Sequence, residues 1–378
     1  MGRPPTTPLV FAVAASALLV ALRWPFQLHR LLVEPGFGGA IDLILYREFT
    51  LAWLGGEVPS DANPPATYLL LWPFVGWLSV GAARAFWLLH GIAALVGLAV
   101  LAARAVPTRR PLDVAFLVLF LLASYAPPIT VGNGQWTFHV LLAVSAACLL
   151  LESRPAAWSR DAAAAGLLAF GLAKFHLTLP FWWVAATRKG GLRAVTLAAI
   201  GYTLVSLAAT TFQETGLLVE LLGWIERGAR ASRWPQSYSN VHAWLGAAGI
   251  EGVVWVGAAS ITVLGLLGGW TYVHRRADLW TLLGVTAVVT RFWTYHRPYD
   301  DVLFLFPLVA LVRLGWRGDR PALLAAGALW TVMMIPGWAL TSGWAIGTAL
   351  RTGQTIVWLA VLGLLAHRAQ TASGNPSG

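Results

Sequence analysis

A few polar side chains with the right types for group transfer are set into an otherwise apolar chain. Asp42 follows Gly38-Gly39 and opens a segment that also holds Tyr46, Arg47 and Glu48. Asn133 and Gln135 stand between two apolar runs, and Lys174 with His176 interrupts a third. Ser237 to His242 make another polar stretch, and Tyr295-His296-Arg297-Pro298-Tyr299-Asp300-Asp301 is the richest. A carboxylate within hydrogen-bond reach can take a hydroxyl proton as a general base. Lysine and arginine can hold a phosphate or stabilise a departing anion. Tyrosine, asparagine and glutamine can hydrogen-bond sugar hydroxyls.

Each of these groups also has a plainer explanation. A carboxylate at a helix start, as at Asp42, is what the helix dipole favours. Lys174 is one of only two lysines, with Lys189, in a chain that otherwise uses arginine. A charge at membrane depth is costly and marks function, unless the ammonium snorkels to the interface. His296 and Arg297 suit phosphate binding, or an outer turn set by Pro298. Asp300-Asp301 offers too few oxygens for a hard cation by itself. Trp224 and Trp234 can stack on sugars, although most tryptophans here suit an interfacial belt. Glu57 and Asp61 read as solvated loop acids. There is no phosphate-cradling glycine loop, HExxH or Gly-x-Ser-x-Gly elbow, so no metal or cofactor is expected.

The elements that carry these residues must cross a membrane. Hydrophobic residues make up 58% of the 378 and charged residues only 11%, against about 25% charged in a soluble domain. Runs near the roughly 20 residues needed to span recur along the chain. The first apolar run lacks a cleavage site and reads as a retained helix. The net charge of +10 fits short basic loops that fix topology better than nucleic-acid binding. The single cysteine, Cys148, excludes a disulfide within the chain and a cysteine-based metal site. Arginine over lysine, with abundant alanine, glycine and tryptophan, suggests a GC-rich bacterial source.

Basic clusters assigned to the cytoplasm thread the chain consistently. They include Arg3, Arg104 to Arg110, Arg154 with Arg160, Arg188 to Arg193, Arg275-Arg276, Arg313 to Arg320, and Arg368. About ten to twelve membrane helices result, in one all-α transmembrane domain over residues 1–369 with both termini cytoplasmic. Residues 370–378 are expected to form a disordered tail. The outer loop, residues 29–84, contains an amphipathic helix from Ala40 to Leu54 that Gly55-Gly56 stops. A second, short apolar helix follows over Thr67–Leu78. Residues 162–187 fit best as two short helices broken near Lys174, a form tolerated where it lines an enclosed cavity. The polar groups named above then collect on the outer face. That suits a membrane-surface active site or a transporter mouth. A transporter should show repeated halves, and none is visible; a scaffold leaves the cost of Lys174 unexplained.

Several short motifs, taken in order, resemble the polyprenyl-phosphate-mannose-dependent mannosyltransferases of glycosyltransferase family 87, of the GT-C fold. They are Gly39-Ala40-Ile41-Asp42-Leu43-Ile44-Leu45-Tyr46, Leu54-Gly55-Gly56-Glu57, Pro64-Pro65 before Leu69-Leu70-Leu71-Trp72-Pro73, and Gly134-Gln135. Gly171-Leu172-Ala173-Lys174 running to Pro180, and His296 before Leu303 to Pro307, complete the series. Asn63 stands where the family often has an aromatic, and Ser239-Asn240 matches loosely. The resemblance implies transfer of a hexose, mannose above all, from a polyprenyl-phosphate sugar to a glycan or glycolipid acceptor. The transfer would invert the anomeric carbon on the extracytoplasmic face of the plasma membrane. Arabinofuranose transfer and a lipid-linked-sugar flippase are the alternatives. By resemblance Asp42 is the general base. Lys174, His296 and Arg297 would meet the donor phosphate; Tyr46, Asn133, Gln135 and Tyr299 would meet sugar hydroxyls.

Overall fold

A computed structural model describes residues 6–61, 63–106, 110–153, 155–231, 238–342 and 345–373. Arg3, Arg109, Arg154, Trp234, Ser237 and positions 374–378 lie outside the described residues. The chain is an all-α polytopic membrane protein, with no strand among the described residues. Among the described residues, five helices are long and apolar enough to cross a membrane: Thr7–Leu32, Val80–Ala105, Gly191–Thr210, Val253–Val273 and Ala345–Thr371. Pro111–Ala123 and Ala126–Asn133, bent by 48° at their junction, would make a sixth. The expected ten to twelve is approached only by adding shorter apolar helices such as Pro65–Val75, Thr137–Ser153 and Leu279–Trp293. Length tracks environment here. Thr7–Leu32 and Val253–Val273 have only 6% of their most apolar stretch buried, whereas nearly every side chain of Leu279–Trp293 is enclosed. A helix sheathed in protein need not match the bilayer, because its neighbours shield it from lipid.

The termini of these helices follow local chemistry. Ser79, Asn240, Asp278 and Asp319 each cap a helix by accepting a backbone N–H with the side chain, and such a cap is worth about 1 kcal/mol. Pro65 and Pro111 begin helices at a position where no N–H is needed. The final helix continues to Ser373, so residues 370–373 of the expected tail are helical.

Two interfacial helices position one wall of the site. The first, Ile41–Leu54, ends at Gly55, and Gly56 adopts φ +89°, as the glycine pair led one to expect. Trp53 stacks on Tyr68 of Pro65–Val75 at 4.7 Å and donates its Nε1 to Ala209 O at 2.8 Å. This ties both helices to the span Gly191–Thr210. The entry to Ile41–Leu54 is tightly held. A Cβ on Gly39 would sit 1.8 Å from Arg30 O, so only glycine fits. Ala40 takes the left-handed conformation, φ 53°, which an L-residue adopts at a cost of roughly 1–2 kcal/mol. It is held there by its N–H on Gly132 O at 2.9 Å and by Arg84, which donates to Glu34 O at 2.7 Å and Gly39 O at 3.2 Å.

The stretch around Lys174 is broken as expected. Trp158–Gly171 gives way to a 3-10 turn, Leu172–Lys174, then to Phe175–Thr178 and Phe181–Ala186. Thr178 Oγ1 donates back to Gly171 O at 2.8 Å, and Trp293 Nε1 donates to His176 O at 2.7 Å. Backbone carbonyls freed by the break thus find partners inside the protein.

Candidate active site

A cavity of about 400 Å³ opens where these pieces meet. Asp42 and Tyr46 come from the first interfacial helix and Gln135 from the loop after Ala126–Asn133. Lys174 and His176 come from the broken stretch, and Arg297 and Tyr299 from the turn Pro298–Phe304 and its entry. Side chains separated by up to 257 positions, Asp42 to Tyr299, therefore line one space.

Asp42 is buried, and its Oδ2 has no hydrogen-bond partner among the described residues. Burial raises its pKa above the ordinary carboxylate value, against the opposing pull of the Gln135 amide, Arg297, Lys174 and Asn133. Tyr46 donates to Gln135 Oε1 at 3.4 Å. Gly134 permits this loop. It adopts φ +69°, and a Cβ there would lie 2.5 Å from Leu43 Cβ on the Asp42 helix.

Lys174 is not a solvated cation. Its Nζ donates to Asp300 Oδ1 at 2.6 Å and Thr137 Oγ1 at 3.0 Å, and lies 4.9 Å from the centre of the Tyr299 ring. Both charged side chains are at most 2% exposed. Asp300 also accepts the backbone N–H of Arg297 at 3.1 Å and faces His176 Nε2 at 3.6 Å. Burial by itself would raise the Asp300 pKa, but Lys174 and His176 hold it well below the usual range. Asp300 thus joins the lysine, the histidine and the arginine backbone at one carboxylate.

The neighbouring acid turns elsewhere. Asp301 accepts from Arg291 at 2.6 Å and from Tyr125 at 2.5 Å, while Arg291 donates onward to Tyr238 O at 2.8 Å. Asp300 and Asp301 therefore serve two separate cations. Among the described residues no group of three or more His, Cys, Asp or Glu side chains could hold a metal ion.

Six of the eight expected site residues reach the cavity: Asp42, Tyr46, Gln135, Lys174, Arg297 and Tyr299. Asn133 and His296 stand behind it. Asn133 Oδ1 accepts from Arg30 at 3.1 Å. His296 is fully enclosed, with Nδ1 3.1 Å from Thr294 O and its ring edge-on to His176 at 5.4 Å. Burial, then the nearby His176, pushes its pKa well below the usual value, so it is a neutral imidazole. Asp61, expected to be a solvated acid, is half-buried on the cavity wall and accepts from Tyr68 at 2.5 Å. Its backbone carbonyl accepts from Arg227 at 2.7 Å. Trp224 also lines the cavity, packed edge-on against Phe175 at 4.7 Å.

Residues 62–294, more than half of the chain, match the model of glycosyltransferase family 87. The chain belongs to glycosyltransferase family 87. The matched stretch includes Gln135 and Lys174; Asp42 lies before it and His296 just after. No curated protein and no solved structure matches the chain. As a family 87 member with this many apolar helices, it is a multi-pass membrane glycosyltransferase, with lipid around it and a sugar donor and an acceptor as its partners.

Proposed function

We propose that this glycosyltransferase moves a hexose, with mannose favoured, from a polyprenyl-phosphate sugar to a hydroxyl of a glycan or glycolipid acceptor, inverting the anomeric carbon. A GT-C type of catalysis, a plasma-membrane location, an extracytoplasmic cavity and cytoplasmic termini belong to the same proposal. What supports it most is Asp42, a buried carboxylate with an unengaged oxygen on a cavity that also holds Lys174 and Arg297.

In this mechanism Asp42 takes the proton of the acceptor hydroxyl as that oxygen attacks the anomeric carbon. The bond from that carbon to the phosphate oxygen breaks, and its electron pair leaves with the polyprenyl phosphate. Arg297 and Lys174 offset the charge growing on the phosphate, as fixed cations in a dry site do best. Tyr46, Gln135 and Tyr299 hold sugar hydroxyls. Asn133 favours the ionised form of Asp42, and His296 acts by backing His176.

The test is sugar transfer from polyprenyl-phosphate-mannose by the purified protein in lipid, comparing wild type with Asp42→Asn. Transfer that collapses in a folded variant supports Asp42 as the base. Equal activity in both moves the base elsewhere. Wild type that transfers only from a different donor overturns the choice of mannose.

A further inference from the structure

Part of the cavity lining is built differently from the charged groups. Val253, Val256 and Gly257 make it apolar, and into it are set a single hydroxyl and a single imidazole, Ser260 and His242. Ser260 Oγ and His242 Nε2 are 2.9 Å apart. His242 belongs to the short helix Val241–Ala247 and is only 5% exposed. Ser260 sits in the span Val253–Val273.

Several other hydroxyls in the helices of this protein turn back on the carbonyl one turn earlier. Ser145 does so to Leu141, Thr290 to Thr286, and Thr271, in the same span as Ser260, to Leu267, each at 2.7 Å. That internal bond hides a hydroxyl at only slight expense. Ser260 is instead paired with an imidazole brought in by a separate helix, and both line the cavity. A polar pair inside an apolar membrane-protein wall is costly to keep unless a ligand uses it. The pair carries no carboxylate and no fixed cation, so it suits a neutral partner with hydroxyls rather than a phosphate. Trp224 supplies an aromatic ring on the same cavity, fixed edge-on by Phe175.

We infer that His242, Ser260 and Trp224 form a neutral hydroxyl-binding subsite that takes the sugar end of the acceptor. The donor phosphate is met by the charged groups of the same cavity, Lys174 and Arg297. This inference rests on the transferase mechanism proposed above. The acceptor sugar lies with a ring face on Trp224 and a hydroxyl bonded to the His242–Ser260 pair. Its attacking hydroxyl is directed toward Asp42. The division of labour explains why one cavity is lined by both charged and neutral polar groups.

The test uses the full chain in lipid nanodiscs, with polyprenyl-phosphate-mannose as donor and octyl α-mannoside, below its micelle concentration, as acceptor probe. Ser260→Ala and His242→Gln should each raise the acceptor KM about three- to tenfold, the range for losing one neutral hydrogen bond. The donor KM, and the slow transfer of mannose from the donor to water, should stay at wild-type values. A lower melting temperature with an unchanged acceptor KM would make the pair a mere link between two helices and overturn the subsite. Should either variant fail to fold, Trp224→Leu, in the separate helix Leu217–Ala231, carries the same expectation for the acceptor KM. Calorimetric binding of octyl α-mannoside separates the two levels. Binding that Ser260→Ala weakens, without any transfer, keeps the subsite and sinks the mechanism. Transfer by wild type with an acceptor KM indifferent to all three variants sinks the subsite and keeps the mechanism.

Discussion

The two polar ends of this protein use the same residue types in opposite ways. Thr137 and Glu152 mark the two ends of one helix, and so do Asp278 and Trp293 for another. At the Glu152 and Asp278 end, the acids are engaged by neighbouring arginines. Asp161 is bonded by both Arg160 and Arg193, Glu152 by Arg188, Asp278 by Arg313 and Asp319 by Arg368. Asp278 and Asp319 also cap helices. These pairs join helix ends to one another, and those of Glu152, Asp278 and Asp319 are partly exposed. At the cavity end, Asp300 is equally engaged and as buried as Asp161, but Asp42 keeps an oxygen without a partner among the described residues. Ionic side chains fasten the first end, whereas at the second one carboxylate is left available at some expense to stability. An unsatisfied buried carboxylate is tolerated where chemistry needs it.

The largest effect that would sharpen this contrast is on turnover. Asp42→Asn should lower transfer about 10²–10⁴-fold, the usual worth of a general base, without lowering the melting temperature. Thermal melts and transfer assays on one preparation check both halves, and a destabilised variant would put Asp42 among the fastening groups. Stability should respond most at Lys174 and Asp300. Either one replaced by alanine leaves the other charge buried and alone, at about 3–5 kcal/mol. The double variant should cost much less than the sum of the singles, as a double-mutant cycle in denaturant reads directly.

The pH dependence separates the two acids at the cavity end. Asp42 has a raised pKa in the folded protein, so its base form is lost as pH falls through a value above about 3.9. Transfer should decline there, while the contribution of Asp42 to stability improves on protonation. Asp300 has a depressed pKa. The stability it confers is present above its unfolded value and is lost only as pH falls through the lower folded one. An acid limb of kcat/KM that disappears in an active Asp42→Glu variant, or moves with it, would assign that limb; a limb unmoved by any change at Asp42 would assign it to another group. The smallest effect is expected at the opposite end. Arg368→Ala removes a partly exposed pair with Asp319 and should cost about 0–1 kcal/mol with transfer unaltered.

Much of this architecture is legible in the residues because it is local. Val253–Val273 and Leu279–Trp293 begin and end where the apolar runs do, since helix length and apolar composition act over one segment. Gly55-Gly56 stops the first interfacial helix, and the break at Lys174 follows from a charge that cannot sit in a continuous lipid-facing helix. The turn into Asp42 is also local in part. Gly39 is needed for a close approach, but the left-handed Ala40 depends on Arg84 and Gly132, both distant in the chain.

What remained out of reach was partnership. Asp300 looks like half of an acid pair until the fold sets Lys174 against it across 126 positions. Asp61 looks like a solvated acid until Tyr68 and Arg227 close around it. His296 looks like a cation for phosphate, yet enclosure behind His176 leaves it neutral. The residues alone determined that the chain is an all-α membrane protein, where its spans lie and which polar groups stand at their ends. These properties follow from the free energy of single segments in lipid. Only the tertiary structure decided which acid is spent on a buried lysine and which is left facing the cavity. Desolvation and pairing depend on what long-range packing brings within a few ångströms, and no local pattern encodes that.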